Sequence, residues 1–70
     1  SYVGDIIDLA VEGNIVEKTG AWYSYDDMKI GQGRENAKSF LTENSDILDA
    51  VTEKVKSFMG LNNEAVEAED

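Results

Sequence analysis

The sequence predicts a small α+β domain: an N-terminal helix, a three-stranded antiparallel sheet, two C-terminal helices and a disordered acidic tail. Three observations predict it. Apolar residues recur at helical spacing near both ends of the chain. Between them lies a β-branched and aromatic stretch, cut by Gly20 and by Asp26-Asp27. The last ten residues hold Glu64, Glu67, Glu69 and Asp70 and no base. Seventy residues support one hydrophobic core and no more. We divide them into a domain over 1–60 and a tail over 61–70.

Val3, Ile6, Ile7, Ala10 and Val11 form one helical stripe, with Asp5, Asp8 and Glu12 on the other face. This predicts a first helix over about 2–12, stopped at Gly13-Asn14, two residues that tolerate a left-handed backbone. Ile15 to Thr19 is the first strand, Trp22 to Tyr25 the second and Met28 to Ile30 the third. Gly31-Gln32-Gly33 ends the sheet. Ala37, Phe40 and Leu41 mark a second helix over 34–43, closed by Asn44. Ser45 is the expected N-cap of a third, with Asp46 in its first turn. Ile47, Leu48, Val51, Val55, Phe58 and Met59 form its stripe. Lys54 and Lys56 suit its later turns, and Gly60 is its expected stop.

Composition excludes several function classes. There is no cysteine and no histidine, so disulfides, thiolate metal sites and the usual neutral-pH acid/base are missing. No nucleophile has a histidine to activate it. We expect no catalytic residue and no metal site. Asp26-Asp27 reads as a solvated turn, because adjacent carboxylates on a hairpin diverge. No apolar run is long enough to span a membrane, and no signal peptide is visible. A start at Ser1, directly in an apolar-periodic segment, suggests a piece of a longer protein.

Fifteen acids against six bases make the net charge −9. Residues 15–38 are nonetheless balanced, with four of each sign. Their bases are Lys18, Lys29, Arg34 and Lys38. Singly these are solvated charges; together, strand ends, turn and helix N-terminus could gather them into one phosphate-binding patch. Gly31-Gln32-Gly33 lacks the third glycine of a dinucleotide fingerprint and the Gly-Lys-Ser/Thr of a P-loop. It reads as a turn, yet exposed amides at a helix start still attract one phosphate. Trp22 is read as core rather than as a stacking platform. Alternation puts Tyr23 and Tyr25 on the opposite face, leaving one tyrosine partly exposed.

The run Ile15-Val16-Glu17-Lys18-Thr19-Gly20-Ala21-Trp22-Tyr23-Ser24-Tyr25, followed by Ile30-Gly31-Gln32-Gly33-Arg34-Glu35-Asn36-Ala37-Lys38, closely resembles the C-terminal domain of the bacterial recombinase RecA. Gly4 to Val11 is similar to the helix that leads into it. The resemblance covers about 2–60, and the tail matches in character. Asp26-Asp27 stand where that family often has lysine and glycine, and Ser45 where it often has proline.

The resemblance implies the following. RecA forms ATP-dependent filaments on single-stranded DNA, carries out strand exchange in recombination and repair, and stimulates self-cleavage of the damage-response repressor. Its ATPase core precedes this segment, so ATP and magnesium belong to the parent protein and no cofactor is expected here. The C-terminal domain is a lobe that captures double-stranded DNA for the filament. Two basic positions linked to duplex binding fall on Lys18 and Arg34, and the acidic tail modulates access. The implied location is cytoplasmic, the partners are duplex DNA and the RecA filament, and the isolated segment is expected to be a monomer. A protein-facing module without DNA contact is the competing reading.

Overall fold

Helical stripes at both ends and a short meander between them give the element order α1 (Tyr2–Glu12), β1 (Glu17–Thr19), β2 (Trp22–Tyr25), β3 (Met28–Gln32), α2 (Arg34–Glu43) and α3 (Ser45–Glu67). This order comes from a computed structural model, which describes the backbone of residues 1–67 and the side chains of residues 1–60. The fold class is the expected α+β.

Ser1 caps α1, its hydroxyl accepting from the Gly4 amide at 3.1 Å. At the far end only Asn14 turns left-handed (φ 60°). Gly13 keeps φ at −87°, and its missing side chain instead makes room for the Phe58 ring of α3.

The sheet order is β1-β2-β3, antiparallel throughout. Asp26 and Asp27 both have positive φ (53° and 64°), as a two-residue hairpin turn of type I′ requires. Tyr23 pairs with Gly31 but Ser24 pairs with Lys29. Ile30 is therefore the extra residue of a bulge, where simple alternation was expected. The bulge resets the parity of β3. Lys29 and Gln32, three apart, come to lie on one face, and Met28 and Gly31 on the other.

α2 packs against β3 at Gly31. A Cβ there would lie 2.5 Å from the Ala37 backbone nitrogen, so only glycine allows this approach. The strand runs two residues past the expected end at Ile30, to Gln32. Gly33 then turns the chain into α2 with φ 87° and ψ 156°, a conformation open essentially to glycine alone.

The core gathers Ile6, Ile7 and Ala10 of α1, Val16, Tyr23, Ile30, Ala37 and Leu41 of α2, and Val51 and Val55 of α3. Three expectations need correction. Trp22 is not core: it is 39% exposed, while Tyr23 is 6% exposed. The inward face of β2 is the one that meets α2, and Tyr23 is on it. Met59 lies outside the stripe and is exposed. Finally, Asn44 caps α3: its carbonyl accepts from the Ile47 and Leu48 amides at 3.0 Å each, and Ser45 is already helical. The same Asn44 closes α2, its Nδ2 donating to the Phe40 carbonyl at 2.8 Å.

α3 also continues through Gly60 to Glu67, so that glycine does not stop the helix. Of the tail expected to be disordered over 61–70, the backbone of 61–67 instead continues α3, and residues 68–70 lie outside those described.

Candidate nucleic-acid interface

Lys18 projects from β1, on the sheet face that carries Tyr23, its register partner. Its ammonium donates to the Gly20 carbonyl at 3.1 Å and lies 5.9 Å from the centroid of the Tyr23 ring. Arg34 opens α2, which packs on that same face. The Tyr23 phenol is near enough to Arg34 to add slightly to the favourable environment of its guanidinium. Two bases sixteen positions apart in sequence thus lie on the same side of the sheet.

Arg34 does not stand free. Its Nε and Nη2 donate to the two carboxylate oxygens of Asp8 on α1, each at 3.1 Å. The guanidinium crosses α1 at Gly4, where a Cβ would lie 2.6 Å from Nη2. Glu35 approaches Arg34 Nη1 at 3.7 Å and Lys38 Nζ at 3.5 Å. Asp8, Arg34, Glu35 and Lys38 therefore form a chain of alternating charge whose sum is zero. Its energetic signature is reciprocal: the hydrogen bonds from Arg34 hold the Asp8 carboxyl below its ordinary value, and those to Asp8 raise Arg34.

Lys29 is elsewhere. It shares the opposite sheet face with Trp22, its Nζ 5.0 Å from the indole centroid. The four bases expected to form one patch thus divide into Lys18, Arg34 and Lys38 on one side and Lys29 on the other. Among the described residues, Lys18 and Lys29 have no carboxylate partner within ion-pair distance.

The amides of the first turn of α2 receive no side-chain cap, since Gly33 has none to offer. Uncapped amides at a helix start, with Arg34 in the same turn, are the arrangement that suits one phosphate group.

Two residues have partners that the sequence reading did not give. Asp8 was placed only on the polar face of α1, and nothing local pairs it with Arg34. Lys54 of α3 lies 4.9 Å from the Tyr25 ring centroid, and the phenol raises its pKa, with Asp26 contributing. Among the described residues no group of three acids could hold a metal ion. With the P-loop pattern also missing, these residues do not fit ATP or magnesium, and no chemistry here passes through either.

A family model described as the RecA C-terminal domain matches residues 4–60. The chain belongs to the RecA C-terminal domain family. Protein RecA of Clostridioides difficile (strain 630) is 50% identical over 68 residues, which is 97% of this chain and 20% of that protein. Protein RecA of Bacillus subtilis (strain 168) is 52% identical over 66 residues, 94% of this chain and 19% of that protein. Protein RecA of Syntrophus aciditrophicus (strain SB) is 53% identical over 70 residues, 100% of this chain and 20% of that protein. The chain spans about a fifth of the length of these curated relatives. What it shares with RecA is the C-terminal domain alone; the ATPase core is not among these residues, and no catalytic activity is expected of them. No helix among the described residues is long and apolar enough to cross a membrane.

Proposed function

We propose that this RecA C-terminal domain docks duplex DNA weakly and without sequence preference, as an accessory lobe of a recombinase that assembles on DNA. The observation that carries the reading is that Lys18, on the Tyr23 face of the sheet, and Arg34, which opens the helix packed on that face through Gly31, lie on one side of the domain next to the uncapped start of α2. Phosphates are the groups such a surface takes. They would bridge the Lys18 ammonium, the Arg34 fork and the α2 amides, and carry no base information. Asp8 is the internal competitor: its carboxylate occupies the Arg34 fork that a phosphate needs. The acidic end, Glu64 to Asp70, would compete in the same way as a tethered polyanion. ATP, magnesium, filament formation and the cytoplasmic setting belong to the parent protein in this reading, and the isolated domain acts as a monomer.

The competing reading, a protein-facing module, draws on one observation. The Asp8–Arg34–Glu35–Lys38 chain is already neutral.

Amide NMR titration with two unrelated duplexes separates the two readings. Docking predicts shifts around Lys18 and Arg34, equal for both duplexes and fading as salt rises. Replacing Lys18 and Arg34 with alanine should reduce the salt slope by about 0.9 per lost contact. Silence of these amides toward both duplexes at low salt would refute docking.

A further inference from the structure

The face of the sheet away from the helices carries Trp22, Lys29, Gln32 and Thr19, all exposed. We infer that this face binds an unpaired nucleic-acid strand, with a base stacked on Trp22 and a backbone phosphate on Lys29. The inference goes beyond duplex docking: it concerns another face and another form of the polymer.

Four observations lead to it. First, an indole 39% exposed on the outer face of the central strand is a stacking surface, and its exposed apolar area stays in contact with water until something covers it. Second, the β3 bulge builds the group. Without Ile30 as the extra residue, Lys29 and Gln32 would point to opposite faces. With it, Gln32 lies across from Trp22 in register and Lys29 across from Ser24, next along the same face. Bulges serve to re-aim side chains in this way.

Third, the charge is suited to the ligand. The Lys29 ammonium is held over the ring at 5.0 Å with no carboxylate partner among the described residues. A base arriving on the ring would displace it by a short swing, into the position of that nucleotide's phosphate. The Gln32 carbonyl accepts from Asn36 Nδ2 at 2.8 Å, which ties the strand end down and leaves the Gln32 amide group to address a base edge.

Fourth, the surroundings of the ring argue against a protein partner. Thr19, Ser24 and Gln32 are polar, Glu17 lies at the far end of the face, and among the described residues the strand register puts no other large apolar side chain beside Trp22 there. A protein interface core would need a contiguous apolar patch. An unpaired strand needs one ring and one cation, because every base has a π-face. A closed duplex hides those faces inside its stack and so cannot use Trp22.

Trp22 is the sole tryptophan, so its fluorescence reports on this face alone. The 70-residue chain is titrated at low salt with oligothymidylate, an abasic oligomer of equal length and a duplex closed by hairpins at both ends. Oligothymidylate should quench the emission. The abasic oligomer and the closed duplex should leave it nearly unchanged. By anisotropy of labelled oligothymidylate, Trp22→Ala should weaken binding about five-fold or more, and Trp22→Phe should retain most of it. Trp22 is 39% exposed, so Trp22→Ala should lower the melting temperature while Trp22→Phe should stay near wild type, and binding is compared at a temperature where both variants are fully folded by circular dichroism. No quenching by oligothymidylate, or equal quenching by the abasic oligomer, would overturn the inference. Failure here leaves the duplex shifts at Lys18 and Arg34 untouched, and failure of those shifts leaves this readout intact.

Discussion

Replacing Asp8 with asparagine should tighten duplex binding. The substitution is nearly isosteric and removes one charge from the Arg34 fork. The pair it breaks is bidentate, with both contacts at 3.1 Å, yet the two side chains are 59% and 40% exposed. Exposed ion pairs couple weakly, so the gain should be modest, about two- to five-fold in affinity. Because one cation is released toward the phosphates, the slope of log K against log salt should steepen by up to about 0.9. The assay is fluorescence anisotropy with a labelled duplex at several salt concentrations. Alanine at Arg34 in the same background should abolish the gain, since the effect runs through that side chain. The pH dependence follows from the same pair. The folded-state pKa of Asp8 is depressed from 3.8. Its contribution to stability is therefore complete above the unfolded value and is lost only as pH falls below it, through the depressed folded value. Around neutral pH the clamp is closed, and only the substitution opens it. Unchanged affinity would show that Arg34 does not contact phosphate. Weaker affinity would show that Asp8 positions the fork for DNA rather than competing with it.

Three other outcomes can be checked by thermal or chemical denaturation. Val51→Ala should cost about 2 kcal/mol, because Val51 is wholly buried between the helices; a loss of only a few tenths would mean the α3 stripe is wrongly placed. Asp27→Gly should stabilise the domain by up to about 1 kcal/mol, since it removes a non-glycine residue from φ 64° in a type I′ turn. Gly31→Ala should be strongly destabilising, because the new methyl would meet the α2 backbone at 2.5 Å, and backbone cannot swing aside as a side chain can.

The helices were legible because a period of 3.6 is a local property. The bounds of α1 and α2 follow from stripes a few residues long and from the Gly13-Asn14 and Asn44 stops. The faces of the sheet were not legible in the same way. Alternation says that Tyr23 and Trp22 point apart, but not which of them points inward. That is settled by α2, which can approach only where Gly31 has no side chain, and Gly31 is the partner of Tyr23. The bulge at Ile30 has no residue signature of its own, and it alone puts Lys29 and Gln32 on the face of Trp22. Gly60 read as a stop because glycine so often ends helices, yet an isolated glycine costs a helix only about 1 kcal/mol, and α3 passes through it.

The candidate site shows why a count of bases is a poor guide to a patch. Lys18, Lys29, Arg34 and Lys38 are all visible in the sequence, and four cations in twenty-one residues suggest a positive surface. What decides the potential is which carboxylate each one meets, and those partners come from other elements. Asp8 reaches Arg34 across 26 positions, while Glu35 lies between Arg34 and Lys38 on the same helix. The two bases nearest the α2 start are thereby balanced, and the two on the strands, Lys18 and Lys29, rest on aromatic rings instead of acids. A ring holds an ammonium without neutralising it. On the proposed docking, the strand lysines are therefore the charges a polyanion would meet before Arg34. Arg34 would become available only when a phosphate outcompetes Asp8, and the docking would accordingly be weak and salt-sensitive.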